Sequence, residues 1–155
     1  MILLAIGGRA WATLYIGRRK ATRLATEGPY SLSRNPLYLF SFLAAVGLGA
    51  QAGSVTIAAI FAAAGAFLIF APVVKREEAA LQTIFGETYD EYHRHTPRYG
   101  PRLAAWRDAA TLEIVPARLY RTIADGLVFA ALVPLFELID WAQQAGYLRA
   151  VFRLP

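Results

Sequence analysis

No charged side chain occurs between residues 35 and 74, a stretch dominated by Leu, Ala, Phe, Ile and Val. As a single helix it would be about 60 Å long, twice the hydrocarbon core of a bilayer. It therefore has to fold back. The one cluster of small and polar residues within it is Gly49-Ala50-Gln51-Ala52-Gly53-Ser54, where a turn belongs. The pattern predicts a helical hairpin with arms at 36–50 and 54–74, each able to cross a membrane, the first barely. Residues 1–17 form a second apolar run with one charge, Arg9, which must either snorkel or face protein. Basic residues follow this run, at Arg18-Arg19-Lys20, rather than precede it. That order suits a membrane helix with a cytoplasmic C-terminus better than a removable leader. A third run, Gly126 to Phe136, is bounded by Asp125 and Glu137 and interrupted by Pro134. It reads either as a tilted crossing over 122–141 or as an in-plane or re-entrant helix.

Composition agrees with a membrane location. Hydrophobic residues make up 57% of the 155 and charged residues 17%, against ~25% charged in soluble domains. Mean hydropathy is +0.39. Disorder, a nucleic-acid-binding arm and an ordinary soluble domain are all disfavoured. The absence of cysteine removes disulfides, thiolate catalysis and Cys-based metal sites. With two histidines, His93 and His95, a three-His metal site is excluded too, so no metal is expected. The net charge of +5 is unevenly placed: five cations lie in 18–34 and eight in 75–121, out of sixteen. A hairpin puts both segments on one side of the membrane, and the positive-inside rule makes that side cytoplasmic.

Two polar segments flank the hairpin on this side. In the first, Glu27 to Tyr38, Gly28-Pro29 marks a turn, and Asn35 before Pro36 reads as an N-cap followed by proline at the first helical position. The N-terminus of that helix, with Arg34 beside it, suits an anion. Arg34 equally suits a lipid headgroup, and Tyr30 and Tyr38 suit either a site or the membrane interface. In the second segment, Lys75 to Tyr92, the residues Glu78, Leu81, Phe85, Tyr89 and Tyr92 follow at helical spacing and predict one inward stripe of an amphipathic helix. Glu87, Asp90 and Glu91 fall off that stripe, as solvated charges. Glu77 and Glu78 either balance Lys75 and Arg76 or face a ligand. Gly86 either kinks the helix or lets a ligand come close. Beyond it, Thr96 to Arg102 reads as a turn-rich loop whose Arg98 meets either a phospholipid or a ligand. Cationic, carboxylate and tyrosine walls together suit a zwitterion with a cationic centre. S-adenosylmethionine has a carboxylate, an ammonium and a sulfonium; phospholipid headgroups share two such features.

Gly28-Pro29-Tyr30-x-x-x-Arg34-Asn35-Pro36-x-Tyr38, an apolar hairpin, Glu77-Glu78-x-x-Leu81-x-x-x-Phe85-Gly86-x-x-Tyr89-x-x-Tyr92, then Pro97-Arg98 and Pro101 resemble the isoprenylcysteine carboxyl methyltransferase family. These membrane methyltransferases are related in pattern to phospholipid N-methyltransferases. The resemblance covers about residues 17–102. It implies S-adenosylmethionine as cofactor, with Arg34, Tyr38, Glu77 and Glu78 helping to bind it and Tyr30, Asn35, Tyr89 and Arg98 nearby. Arg34, Glu77 and Glu78 are the catalytic candidates. The family reads Arg-His-Pro where this chain has Arg34-Asn35-Pro36, and asparagine cannot titrate.

The expected protein is all-α and membrane-integral, with a central transmembrane hairpin, flanking helices that make three to four membrane segments, and a cytoplasmic amphipathic helix. It is one domain over 1–155, with a motif core at 17–102 and a C-terminal extension at 103–155. The expected activity is methylation of a lipid-like or prenylated acceptor, carboxyl methylation of the isoprenylcysteine type, at a cytoplasmic site. The alternatives are a phospholipid or small-lipid methyltransferase, an NADPH-dependent membrane reductase with a similar segment, and a non-catalytic membrane protein. The bilayer is the expected partner, and nucleic acid is not.

Overall fold

The computed structural model describes residues 1–17, 23–51 and 55–147. Every regular element among them is helical. Helix α1 (Ile2–Ile16) is the first apolar run. A single turn, α2 (Pro29–Leu32), precedes α3 (Pro36–Gln51), which starts at the proline that the sequence marks. Helix α4 (Val55–Ala64), a π-helical stretch (Gly65–Phe70) and α5 (Ala71–Phe85) run end to end. The short α6 (Glu87–His95), a 3-10 turn (Leu103–Ala105) and the long α7 (Pro116–Gln144) complete the chain.

The apolar helices pack side by side. Helix α1 lies against both α3 and α7, and α3 also against α4 and α7. Small residues allow the approach: no room for a Cβ exists at Gly8 against the Phe40 ring or at Gly126 against Ile6. Arg9 faces protein, where its guanidinium donates to Ser41 Oγ on α3. Thr13 and Thr122 hydroxyls meet at 3.2 Å across α1 and α7.

Three expectations change. Helix α7 is continuous for 29 residues, through Asp125, Pro134 and Glu137. Asp125 and Glu137, the expected bounds of an 11-residue stretch, are exposed along it and do not interrupt it. Among the described residues it is the one helix long and apolar enough to cross a membrane; α1 and Pro36–Gly49 are shorter apolar helices. The second concerns the continuous stripe, because the kink allowed at Gly86 is a full break between two helices. The Gly86 φ of +51° is costly for any other residue, and Gly86 ends α5 with its N–H on the Gln82 carbonyl, 2.9 Å away. The expected continuous stripe is thus divided between two helices. Its inward character survives, with Glu78, Tyr89 and Tyr92 buried and Glu87, Asp90 and Glu91 exposed. Third, the second arm contains a π-helical stretch that periodicity did not indicate. Its Phe70 ring lies 5.9 Å from that of Tyr38. The turn residues 52–54 and the basic cluster 18–20 lie outside the described residues.

Above the helices, the segment from Gly28 to Asn35 is strapped down by residues 97–107. Arg34 N–H donates to the Pro97 carbonyl at 2.9 Å, Arg102 N–H to Leu32 at 3.1 Å, and Gly28 N–H to Arg107 at 2.7 Å. Gly28 has φ +59°, and the Tyr15 ring fills the place where a Cβ would stand. Tyr15 in turn donates to Asp108 Oδ1 at 2.7 Å. Ala12, Tyr15 and Tyr30 form the buried centre of this junction.

Candidate functional site

The start of α3 and the first exposed turns of α5 face each other beneath the strap. Asn35 precedes Pro36, and its carbonyl accepts the Leu39 N–H at 3.2 Å. Its amide nitrogen is turned away from the helix, donating to Glu78 Oε1 at 3.1 Å and to the Arg98 carbonyl at 3.3 Å. Ser33 Oγ donates to the same carbonyl at 3.0 Å. Arg98 Nε donates to Glu78 Oε1 at 3.3 Å and its Nη2 to Oε2. Arg34 Nε lies 3.5 Å from Glu78 Oε1, and its Nη1 donates to the His93 carbonyl at 3.3 Å. Glu78 is therefore the centre of a charged knot. Burial alone would raise its carboxyl pKa, but hydrogen bonds from Arg98 and Asn35 and the charge of Arg34 bring it below the ordinary carboxylate range.

Next to the knot is a cavity open to solvent at its mouth. Tyr30, Arg34, Asn35, Tyr38 and Glu77 contribute its polar wall, and Leu24, Leu37, Leu81 and Phe85 much of its apolar wall. Tyr38 donates its hydroxyl to Glu77 Oε2 at 2.9 Å. The Tyr92 hydroxyl holds the Tyr30 carbonyl at 2.7 Å, which fixes the turn that carries Tyr30. The Tyr30 hydroxyl itself is buried and has no hydrogen-bond partner. Burial pushes its pKa well up, so it remains a neutral donor. A buried polar atom left unmatched is rare in proteins, and this one belongs to a residue of the cavity wall.

The eight candidate residues are thus gathered into one region but not onto one wall. Tyr30, Arg34, Asn35, Tyr38 and Glu77 line the cavity, whereas Glu78, Tyr89 and Arg98 stand behind it. Glu78, expected to offer its carboxylate to a ligand, accepts from Arg98 and Asn35 with its two oxygens in the protein alone. The Tyr89 hydroxyl is buried beside the knot, with its pKa pushed up to about 12 by burial and then by the Glu78 charge. Sequence reasoning missed Arg23, Leu24 and Ala25 as cavity residues. They precede the Gly28-Pro29 turn without periodicity or motif, and no local signal marks them. Tyr92 carried a signal, its place on the inward stripe, but its hydrogen bond to residue 30 is long-range.

Residues 2–88 match the model of the family described as phospholipid methyltransferase. Over 154 residues the chain is 38% identical to the nickel-cobalt-cadmium resistance protein NccN of Alcaligenes xylosoxydans xylosoxydans, spanning 99% of this chain and 71% of that protein. It is 40% identical over 153 residues to the cobalt-zinc-cadmium resistance protein CzcN of Cupriavidus metallidurans, spanning 99% and 70%. No solved structure matches.

Proposed function

The chain belongs to the phospholipid methyltransferase family, and we propose that it is an integral-membrane enzyme that methylates a lipid-like acceptor with S-adenosylmethionine. One observation carries the reading. The buried, unmatched hydroxyl of Tyr30 shares a cavity with a guanidinium, Arg34, and a carboxylate, Glu77. Together they offer a neutral donor, a cation and an anion around an apolar floor, a set that fits this cofactor. Arg34 would hold its carboxylate, Glu77 its ammonium, and Tyr30 would donate a hydrogen bond. The cofactor supplies an electrophilic methyl group on a sulfonium.

The chain's own residues then act mainly by positioning and by excluding water. Leu37, Leu81 and Phe85 supply an apolar wall that keeps water away from the acceptor. Glu78, held by Arg98 and Asn35, keeps Arg34 in place. The motif order favours carboxyl methylation of the isoprenylcysteine type, in which the acceptor reacts as its carboxylate and no proton has to be removed. The carboxylate of Glu77 at the cavity wall favours a second reading, methylation of a lipid amine, because an ammonium must lose a proton before it attacks. The active site faces the cytoplasm, on the cation distribution. The association with metal resistance in the names of the two relatives we carry over as a role for the methylated product in metal tolerance.

The deciding experiment titrates the detergent-purified protein with S-adenosylhomocysteine and with NADPH. Saturable binding of the first and not the second is expected; the reverse would replace methyl transfer with reduction. Membranes given a methyl-labelled donor then separate the acceptors. Label released as methanol by mild alkali marks an ester, and label that resists marks an N-methyl group.

A further inference from the structure

A second depression shares a single lining residue, Tyr92, with the cavity. It is open to solvent and is lined by residues of the strap and of α6 together with Thr26 and Ser31. Arg102 and Arg107 stand at the two ends of the 3-10 turn. Their backbones are pinned: Arg102 N–H donates to the Leu32 carbonyl at 3.1 Å, and Arg107 N–H to Ser31 Oγ at 3.0 Å. Neither guanidinium has a side-chain partner among the described residues. The lining also includes Thr26, Thr88 and His95. His95 Nδ1 lies 2.9 Å from the Glu91 carbonyl, so Nδ1 carries the proton in that contact. Glu91 supplies the one carboxylate of the lining. Two arginines against one carboxylate, with hydroxyl-bearing residues in the same lining, favour an anion. The planar fork of arginine fits phosphate in particular.

The turn between the arginines says where that phosphate comes from. Leu103 is 74% exposed and Trp106 42%. The Trp106 ring also stacks on Trp11 of α1, with centroids 5.6 Å apart and an interplanar angle of 21°. Exposed Leu and Trp beside Arg, tied to an apolar helix, is the composition of a membrane interface. We propose that Arg102 and Arg107 hold the phosphate of a glycerophospholipid, at a site separate from the methyl-transfer cavity, with Leu103 and Trp106 against the lipid's acyl region. This rests on the membrane reading above but not on the chemistry of the cavity.

The test uses the full chain in a neutral detergent and three probes: dioctanoyl phosphatidylglycerol, dioctanoylglycerol and inorganic phosphate. Phosphatidylglycerol should saturate at one per chain. Arg102→Gln with Arg107→Gln should weaken it by about ten-fold or more, and each single change by about three-fold. Lysine at both positions should recover part of the loss, because it keeps the charge without the bidentate fork. Arg94→Gln, an exposed cation of α6 outside the depression, should change affinity by less than about two-fold. Equal binding of dioctanoylglycerol would overturn phosphate recognition. Equal binding of inorganic phosphate would overturn the lipid assignment. An equal loss in Arg94→Gln, or a lysine pair no better than the glutamine pair, would overturn the two-arginine site. S-adenosylhomocysteine, titrated in parallel, should bind wild type and double variant alike. Its failure to bind either would remove the methyl-transfer reading and leave this site standing.

Discussion

The charged knot and the cavity adjoin each other and draw on neighbouring residues of the chain, yet they use their carboxylates differently. In the knot, Glu78 collects Arg98, Asn35 and Arg34. In the cavity, Tyr30 is buried with its hydroxyl unmatched, and Glu77, one residue from Glu78, faces the open space together with Tyr38. A carboxylate held by several donors keeps a structure in place, whereas one on a cavity wall can meet a ligand; unmatched buried atoms occur in both regions, Arg34 Nε and the Tyr89 hydroxyl at the knot and the Tyr30 hydroxyl at the cavity. The two adjacent glutamates should therefore fail in different assays, one in stability and one in binding.

The largest effect belongs to the knot. Glu78→Ala leaves Arg34, whose side chain is 8% exposed, without its carboxylate. Removing one partner of a buried pair costs about 3–5 kcal/mol. Arg98 is 39% exposed and can turn to water, so the lower end, about 3 kcal/mol, is expected. Unfolding in neutral detergent, followed by circular dichroism, measures it. The wild type should also lose this stabilisation in acid. The Glu78 carboxyl is held below its unfolded value of about 4.3, so its contribution is complete above that pH and is lost as pH falls through the lower folded value. Glu78→Ala should lack that acid-dependent step. A variant as stable as wild type at neutral pH would dissolve the distinction between the two regions.

Glu77→Gln is the matching change in the cavity. It should weaken S-adenosylhomocysteine binding by about 1.5–3 kcal/mol, the range for a hydrogen bond to a charged group, while the unfolding midpoint moves far less than in Glu78→Ala. Calorimetric titration beside a melt of each variant gives both numbers. A large fall in stability with unchanged affinity would assign Glu77 to the knot as well.

Asn35 touches both regions, since it lines the cavity and donates to Glu78. Asn35→Ala removes one bond to a charged acceptor, and a loss of about 1–2 kcal/mol in stability is expected. Asn35→His restores the residue type of the resembled family. Its ring would stand against the Glu78 carboxylate, which raises the imidazole pKa above about 6.5. The added stability would then be full below that pH and lost as pH rises through the raised value. A stability profile of Asn35→His that is flat between pH 5 and 8 would place the side chain away from Glu78.

The sequence carries the helices better than it carries this division. The uncharged run from Asn35 to Val74, the Asn35-Pro36 start and the spacing of Glu78, Leu81 and Phe85 are local signals, and helix starts and inward faces follow from them. The break at Gly86 is less legible, because periodicity continues across it: Tyr89 and Tyr92 keep the spacing although they belong to another helix. The length of α7 is obscured for a different reason. Asp125 and Glu137 look like boundaries when charge is counted along the chain, but a helix can expose them on one side. Least legible is the separation of Glu77 from Glu78. It depends on Arg98 reaching back across twenty residues and on a backbone strap at 97–107, and neither leaves a mark near residue 78.

Tyr30→Phe should give the smallest effect and the clearest sign. The hydroxyl is buried and unmatched in the protein alone, so removing it takes away a desolvated donor and leaves the ring packing against Ala12 and Tyr15. The carbonyl of residue 30 still accepts from Tyr92, which keeps the turn in place. Stability without ligand should hold or rise, by up to about 1 kcal/mol. Affinity for S-adenosylhomocysteine should fall by about 0.5–1.5 kcal/mol, the worth of one neutral hydrogen bond. Opposite signs in the melt and the titration are what an atom kept for a ligand would give. If the hydroxyl instead serves the fold, both readouts fall together, and the reading of Tyr30 as a ligand contact fails. Tyr92→Phe is the contrast, because its hydroxyl is already matched to the Tyr30 carbonyl at 2.7 Å. Its loss should lower stability by about 1 kcal/mol, and ligand affinity only through the turn that it holds.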